Sequence, residues 1–239
     1  MRKGLSPEAK KLLGHYFEIV VGKWRVGCPY FINVKKTRLL PVVYSGKGFP
    51  EEIEKEAKKI YLRRGRALSE LMIINRSSDD AKDFLILAGL GVDCSGLVAN
   101  VLDAHLKETA GRSIQRIVKQ PGWYKKILSW VRPRTGFSAD LLTGELNSNK
   151  VNLREVMPGD MIRQGKRHMM LIEWVESRNG RVVSLGYVES NTRPVWGVQR
   201  GEIWIVGESR LLEEQKWSME AVKRRYARSS DKGIVRLRI

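Results

Sequence analysis

The sequence predicts an α+β domain in which helices come first and antiparallel strands follow. Apolar residues recur at helical spacing near the start of the chain, at Leu12, Leu13 and Tyr16, and again from Leu97. The second half of the chain instead holds short apolar segments that are separated by tight turns. This order differs from the alternation of strands and helices that a parallel sheet requires. We expect the 239 residues to form one domain.

The first predicted element is an amphipathic helix. Ser6-Pro7 is a typical helix start, and the apolar pattern predicts that this helix ends near Gly22. Cys28-Pro29 then predicts a loop, because proline lacks an amide donor and restricts the residue before it. A second, charged helix is predicted over residues 51–70.

A third predicted helix begins beside a cysteine. Residues 84–90 form an apolar run that is too short to cross a membrane and is interpreted as core. After Asp93-Cys94-Ser95-Gly96, the apolar residues from Leu97 to Leu106 follow a period of about 3.6 residues. Cys94 is therefore expected at or just before the first turn of a buried helix.

The second half of the chain predicts a sheet that is followed by a helix. Strands are predicted at Met161-Ile162 and over residues 169–175, 182–188 and 203–206. Asn179-Gly180 is the strongest hairpin signal in the chain. Residues 211–239 are interpreted as a terminal helix, over 211–228 and with a basic outer face, followed by a tail. Segments 49–90 and 111–150 are interpreted as helical insertions in the core.

Composition excludes several classes of protein. The chain holds 44 Lys and Arg against 26 Asp and Glu, a net charge of +18 that attracts polyanions such as nucleic acid, anionic membranes or wall polymers. Its two cysteines, Cys28 and Cys94, are too few for a disulfide scaffold or a four-cysteine zinc site, and we expect no metal and no cofactor. Neither a transmembrane segment nor an apolar signal sequence is evident. The default expectation is a cytoplasmic protein, with release by lysis or a dedicated secretion route as alternatives.

Cys94 has the surroundings that a nucleophilic thiol needs. Only the thiolate is a strong nucleophile, and the unpaired amides and the dipole at a helix N-terminus stabilise it. The same amides can hold the oxyanion that forms on an attacked carbonyl group. Gly96 is small enough to let a substrate chain approach the backbone. The alternative is that Cys94 is an inert core residue, the commonest fate of a lone cysteine.

His168 is the predicted general base, by elimination among three histidines. His15 lies among the apolar positions of the first helix, where a packing role is expected. His105 lies on the same helix as Cys94, roughly 16 Å further along it. His168 begins a predicted strand, from which a sheet packed against the helix could present its ring to Cys94.

The hairpin partner of that strand supplies the group that orients the imidazole ring. The strand over residues 182–188 runs back towards His168, so that Glu189, Ser190 and Asn191 arrive near the ring. Glu189 is favoured, because a carboxylate stabilises the charged imidazole best. Ser190 and Asn191 stay open, since the strand register decides which side chain faces the site.

At these residues the chain resembles the NlpC-type cell-wall cysteine peptidases, papain-like enzymes related to the CHAP amidases. The resemblance extends from Gly27 to about Asn191. The matching pieces are, in chain order, Pro29-Tyr30, Asp93-Cys94-Ser95-Gly96-Leu97-Val98, Pro158-Gly159-Asp160-Met161, and His168 with its strand and hairpin.

The resemblance implies a papain-like core, with the helix of the nucleophile packed on an antiparallel sheet. It also implies hydrolysis of amide bonds in peptides derived from bacterial peptidoglycan, with Cys94 as nucleophile and His168 as base. Tyr30 would line the cleft, and Asp93 and Ser95 would contact substrate beside the nucleophile. The chain departs from the family at the third position, where histidine, asparagine or glutamine is usual, in the long segment that follows Tyr30, and in having no visible export signal.

Two further functions are open alternatives. Related folds pass an acyl group to an acceptor other than water, and the apolar run over residues 84–90 would suit a lipid-like substrate. A non-enzymatic module could instead bind a polyanion through the basic surface, in a salt-dependent way that does not involve Cys94. Cys28 is interpreted as structural, although it lies close to Tyr30 in the sequence.

Overall fold

The computed structural model describes residues 1–32, 41–64, 77–122, 134–193 and 195–239, and within them the protein is a mixed α+β fold. The helices are α1 Pro7–Phe17, α2 Pro50–Arg64, α3 Ser78–Leu87, α4 Cys94–Ala110, α5 Ile114–Ile117, α6 Ala139–Thr143 and α7 Glu220–Ala227. The strands are β1 Arg2–Gly4, β2 Ile19–Val21, β3 Trp24–Val26, β4 Ser148–Val151, β5 Met161–Gln164, β6 His168–Arg178, β7 Arg181–Asn191, β8 Gly197–Trp204, β9 Lys216–Trp217 and β10 Lys232–Leu237.

A large antiparallel sheet organises the described residues. Its strands follow the order β4, β10, β5, β6, β7, β8, β9, and β1 pairs with the far end of β6. The hairpin of β6 and β7 lies at the centre, with Asn179 and Gly180 in its turn at φ values of 50° and 76°. Such left-handed values are those of the turn that favours a two-residue hairpin. The predicted hairpin is thus confirmed.

The two faces of the sheet bury two apolar clusters, because successive side chains of a strand point to opposite faces. In β6, Met169 and Leu171 pack in the cluster that includes α4, whereas Met170 and Ile172 pack in the cluster that includes α7. The sheet therefore separates the helix of Cys94 from the last helix of the chain.

Helix α4 begins at Cys94, as the sequence predicts. Asp93 is its N-cap, and the Asp93 carboxylate accepts a hydrogen bond of 2.6 Å from the Gly96 amide. The helix packs against α1 and against β6 and β7. It ends where Gly111 takes the left-handed conformation at φ 63°. The contacts of α4 with β6 and β7 place its first turn close to the end of the central hairpin.

Three expectations about the first half of the chain have three different outcomes. The prediction that the first helix ends near Gly22 is wrong, because α1 ends at Phe17 and β2 and β3 form a small hairpin with Gly22 in its turn. Helix α2 ends at Arg64, and residues 65–70 of the predicted helix lie outside the described residues. The apolar run over 84–90 lies mostly in α3; Phe84, Leu85 and Leu90 are buried, as the core interpretation predicts, whereas Leu87 is 74% exposed.

The predicted terminal helix is wrong for most of its length. Residues 212–214 form a 3-10 turn, β9 follows at Lys216–Trp217, and only α7 is helical. The predicted tail contains β10, which pairs with β4 on one side and β5 on the other. Pairing with strands distant in sequence decides this conformation, and such pairing leaves little trace in a local pattern.

The predicted strand over 203–206 begins earlier, because β8 spans Gly197–Trp204. Across the described ranges, no helix combines the length and the apolar character needed to cross a membrane. The segments interpreted as insertions hold α2, α3, α5 and α6 in their described parts.

Candidate active site

The structure brings Cys94 and His168 together. Cys94 is the first residue of α4, and its Sγ lies 3.7 Å from the carbonyl oxygen of Arg167, the residue directly before His168. The Cys94 residue is only 6% exposed. Helix α4 and the start of β6 therefore meet at the thiol.

His168 holds its proton more tightly than a free histidine does. Burial would lower the pKa of His168, but hydrogen bonds to Cys94 and Glu189, and the negative charges of both groups, outweigh burial and raise the pKa from 6.5 to about 9. At neutral pH the ring is therefore a cation between two acidic partners.

Glu189 is the closest partner of His168 on the hairpin. Its Oε2 lies 2.5 Å from Nε2 of His168, and the Glu189 side chain is fully buried. Burial would raise the pKa of Glu189, but the hydrogen bond and charge of His168 and the charge of Arg225 lower it. The carboxylate is thus ionised although it is fully buried, and buried charges are tolerated only when they are paired.

The other two candidates for the third position differ from Glu189. The Ser190 hydroxyl donates to the carbonyl oxygen of Val92 at 2.6 Å, on the side of α4 and away from His168. Asn191 lies near the ring, with Nδ2 at 3.3 Å from Nε2 of His168 and at 3.3 Å from Oε2 of Glu189. Among the three, Glu189 makes the shortest contact with the imidazole.

Comparisons with protein-family models, with curated proteins and with solved structures give no match for this chain. The site is therefore interpreted from its own geometry.

Tyr30 lies near the thiol. Burial and the nearby negative charges of Cys94 and Asp93 raise the pKa of the Tyr30 hydroxyl to about 12. This hydroxyl is protonated at every physiological pH and can donate a hydrogen bond. The Tyr30 carbonyl oxygen accepts a hydrogen bond from Nε1 of Trp196 at 3.0 Å. This bond holds the loop before β8 against the segment that contains Tyr30.

The contacts of Asp93 and Ser95 are internal. Asp93 caps α4 and binds the buried Lys47, whose Nζ lies 2.7 Å from Oδ1 and 2.8 Å from Oδ2. Lys47 also donates to the Ser95 hydroxyl, which donates in turn to Asp93. This cluster stabilises the first turn of α4. It explains the presence of Asp93 and Ser95 without a role in binding a substrate.

Gly96 is required by close packing. A Cβ at Gly96 would lie 2.2 Å from the carbonyl oxygen of Gly46 and 3.1 Å from the Cα of Lys47. The space that a side chain would fill is occupied by this neighbouring backbone, which explains the glycine without an approaching substrate chain.

The first turn of α4 offers two amides to a ligand. The side chain and the carbonyl oxygen of Asp93 accept from the amides of Gly96 and Leu97. In the part of the chain that the structure describes, the amides of Cys94 and Ser95 have no acceptor. They belong to the residue that carries the sulfur and to the residue that follows it.

The remaining cysteine and histidines lie outside this site. Cys28 is fully buried, and burial raises the pKa of its thiol far above the usual range. His15 contacts Glu51 and Glu54 at 3.1 and 2.8 Å, a polar role instead of the packing role expected for it. His105 accepts from the Ser6 amide at 3.1 Å, and burial lowers its pKa. Within the described residues, no group of three or more His, Cys, Asp or Glu side chains is arranged to hold a metal ion.

Sequence reasoning missed three side chains that complete the site. Lys47 binds Asp93, the residue directly before Cys94, and Gln199 and Arg225 both bind Glu189. Lys47 and Arg225 are 46 and 36 residues away from their partners in sequence, whereas Gln199 lies opposite Glu189 on the neighbouring strand β8. None of the three forms a local motif. A buried carboxylate in a chain this basic could have suggested that an arginine compensates its charge. The sequence could not have shown where that arginine lies.

Proposed function

We propose that the protein is a cysteine hydrolase of amide bonds, with Cys94 as nucleophile, His168 as acid and base and Glu189 as the group that orients the ring. The observation that carries this proposal is the position of the His168 ring between the Cys94 thiol and the buried Glu189 carboxylate. We further propose a papain-like core of the NlpC type, which rests on the order of the sequence motifs and on a helix with an N-terminal cysteine packed against an antiparallel sheet.

The first half of the reaction forms a thioester. The Cys94 thiolate attacks the carbonyl carbon of the amide, and the carbonyl oxygen becomes an oxyanion near the amides of Cys94 and Ser95. His168 then gives its proton to the amide nitrogen, the carbon–nitrogen bond breaks, and the amine leaves. Glu189 and Asn191 contact Nε2, so Nδ1 is the nitrogen that remains for this transfer.

The second half restores the enzyme. The neutral imidazole of His168 takes a proton from water as the water oxygen attacks the thioester carbon. The carbon–sulfur bond breaks, the product leaves as a carboxylic acid, and the thiolate and imidazolium are again paired. The ionised Glu189 stabilises the imidazolium at the beginning and at the end of the cycle.

The substrate class proposed is a peptide derived from peptidoglycan, which rests on the resemblance of the motifs around Cys94 and His168. The test uses purified wall peptides and follows the release of new amino groups. Cys94→Ala and His168→Ala should each lower turnover by about a thousandfold or more while the circular dichroism spectrum is unchanged.

Two variants serve as matched controls. Cys28→Ala removes the other thiol and His15→Gln removes a histidine that contacts only surface carboxylates, and both should keep turnover. Iodoacetamide should also label Cys94 near neutral pH faster than it labels an unfolded thiol. Undiminished turnover by Cys94→Ala would rule out the proposed mechanism.

Acyl transfer is the second candidate function, and one surface feature favours it. Trp196 is 47% exposed, and its indole donates to the carbonyl oxygen of Tyr30, a residue near the thiol. An exposed indole at this place suits the apolar part of a lipid-like acyl donor. Mass spectrometry of Cys94 after incubation with peptide or lipid donors distinguishes the two functions, because only the accepted donor leaves its acyl group on the sulfur.

A further inference from the structure

We propose that Arg225 is the positioning residue that balances the charge of the site, so that Cys94 and Glu189 are both ionised around a single imidazolium. This inference deepens the proposed function and rests on it for the thiolate. Its basis is the geometry around the buried carboxylate.

Arg225 holds Glu189 from the opposite side to His168. Its Nη2 lies 2.9 Å from Oε1 and 2.8 Å from Oε2 of Glu189. Further contacts of the guanidinium, to Oε1 of Gln164 at 3.4 Å and to the carbonyl oxygen of Arg193 at 3.3 Å, fix its plane. Gln199 completes the shell by donating to Oε1 of Glu189 at 2.5 Å.

The sum of the charges explains why this arginine is needed. A thiolate and an imidazolium form a neutral pair, and a third residue without charge would leave that pair neutral. Glu189 adds a buried negative charge, so the group would carry a net charge of about −1 without another cation. An uncompensated charge is unfavourable in a buried place. Cys94, His168 and Glu189 together would therefore bind another proton, and the Cys94 thiolate is one of the groups that would accept it. The guanidinium of Arg225 returns the sum to zero, and it cannot lose its own proton.

Other groups around Glu189 do not supply this charge. In the described part of the chain, Glu189 contacts His168, Asn191, Gln199 and Arg225, and of these only His168 and Arg225 can be cationic. Tyr187 lies on the same strand, and burial, followed by the charge of Glu189, raises its pKa far above the usual range. The tyrosine is therefore neutral.

The charges of the groups near the thiol are neutralised without Glu189. Asp93, which lies directly before Cys94, is paired with the buried Lys47 at 2.7 Å. Tyr30 is neutral, because burial and the nearby charges of Cys94 and Asp93 raise its pKa to about 12. Neither group therefore offsets the charge of Glu189, and that role falls to Arg225.

The first experiment compares Arg225→Met with Arg224→Met. Arg224 is an exposed neighbour on α7, so the second variant removes the same charge without touching Glu189. The rate of alkylation of Cys94 by iodoacetamide is measured against pH. Arg225→Met should move the midpoint of this profile upward by about one pH unit or more, which is about tenfold slower alkylation below the midpoint. Arg224→Met and Arg225→Lys should stay close to the unchanged protein.

The second experiment is a rescue that a purely structural role does not predict. In Arg225→Met combined with Glu189→Gln, the third residue is neutral and the charge sum is again zero. The midpoint should return towards that of the unchanged protein. This double variant also carries the test if Arg225→Met alone does not fold.

Identical profiles for Arg225→Met and Arg224→Met, or a double variant that shows no recovery, would overturn the inference. Alkylation needs no substrate, so the result is independent of the substrate class. If wall peptides are not cleaved while the alkylation profiles behave as expected, the proposed function fails and the charge balance stands. If wall peptides are cleaved and Arg225→Met alkylates normally, only the charge balance fails.

Discussion

His168 is the residue whose ionisation sets the pH range of the site. Its pKa is raised from 6.5 to about 9 by the hydrogen bonds and charges of Cys94 and Glu189, against the opposing effect of burial. A raised pKa means that protonation favours the folded state. The contribution of His168 to stability is therefore complete below pH 6.5 and is lost as the pH rises through about 9.

The same shift predicts an alkaline limit of turnover. In the proposed mechanism the leaving amine takes the proton of His168, so turnover should fall as the pH rises through about 9. Alkylation of Cys94 should show no such fall, because the thiolate stays available when the imidazole becomes neutral. Both rates are measured between pH 6 and about 10.5 on the same preparation. Turnover that continues to rise above pH 9 to 10 would contradict the assignment of His168 as the acid.

At this scale the sequence could predict that Cys94 and His168 lie together but could not predict the groups around them. Cys94 was identifiable from its place before an apolar helix, and His168 from elimination among three histidines. Glu189 could be favoured but not separated from Ser190 and Asn191, because strand register is a property of the folded sheet. Arg225 approaches Glu189 from a helix that local patterns did not delimit.

Helix α4 illustrates how an element is selected by its neighbours. Glycine is unfavourable inside a helix by about 1 kcal/mol relative to alanine, yet Gly96 lies in the first turn of this one. The carbonyl oxygen of Gly46 occupies the space where a Cβ would lie, at 2.2 Å. Packing therefore overrides helix propensity at this position.

Two glycine substitutions test this explanation. Gly96→Ala should lower the free energy of unfolding by about 1–3 kcal/mol, because the backbone of Gly46 must move. Gly14→Ala, in α1, meets no atom within 4 Å and should leave stability unchanged or raise it by up to about 1 kcal/mol. Urea unfolding of the two variants gives the comparison, and equal effects would contradict the role given to Gly46.

The elements that the sequence predicted well are those with a strong local signal. The start of α4 and the hairpin of β6 and β7 both combine an apolar period with a specific capping or turn residue, Asp93 in one case and Asn179-Gly180 in the other. β10 has no comparable signal. Its conformation depends on β4 and β5, which lie far away in the sequence, and it was interpreted as part of a tail.

For the whole molecule, the position of β10 predicts that the end of the chain is essential for folding. Ile234, Val235 and Leu237 are buried in the interior of the sheet. Burial of each such side chain stabilises the folded state by about 1.5–3 kcal/mol. The sum of the three is comparable with the whole free energy of unfolding of a domain, about 5–15 kcal/mol. A chain that ends at Ser230 should show no cooperative thermal unfolding, whereas a chain that lacks only the exposed Ile239 should unfold like the complete protein.

The charge of the whole molecule predicts binding to polyanions, and the described residues form a basic depression where such binding is expected. A depression of about 500 Å³ is lined by Arg112, Arg116, Lys119 and Arg238, together with Ile117 and Ile239. Replacing Arg112, Arg116 and Lys119 by Gln should weaken retention on heparin more than replacing the exposed Lys55, Lys58 and Arg228 does. Retention should fall steeply with salt and should not change in Cys94→Ala. Equal losses in the two triple variants would instead indicate that the charge acts diffusely.

The sealed position of Cys28 has a practical consequence. Since that sulfur is fully buried and its pKa is raised far above the usual range, while Cys94 is 6% exposed, we expect a reagent to label a single thiol of the native chain. A stoichiometric, tagged electrophile would therefore count the competent molecules in any preparation, one label for each intact site. Specific activity could then be normalised to functional molecules, and a probe could be attached without engineering a new cysteine.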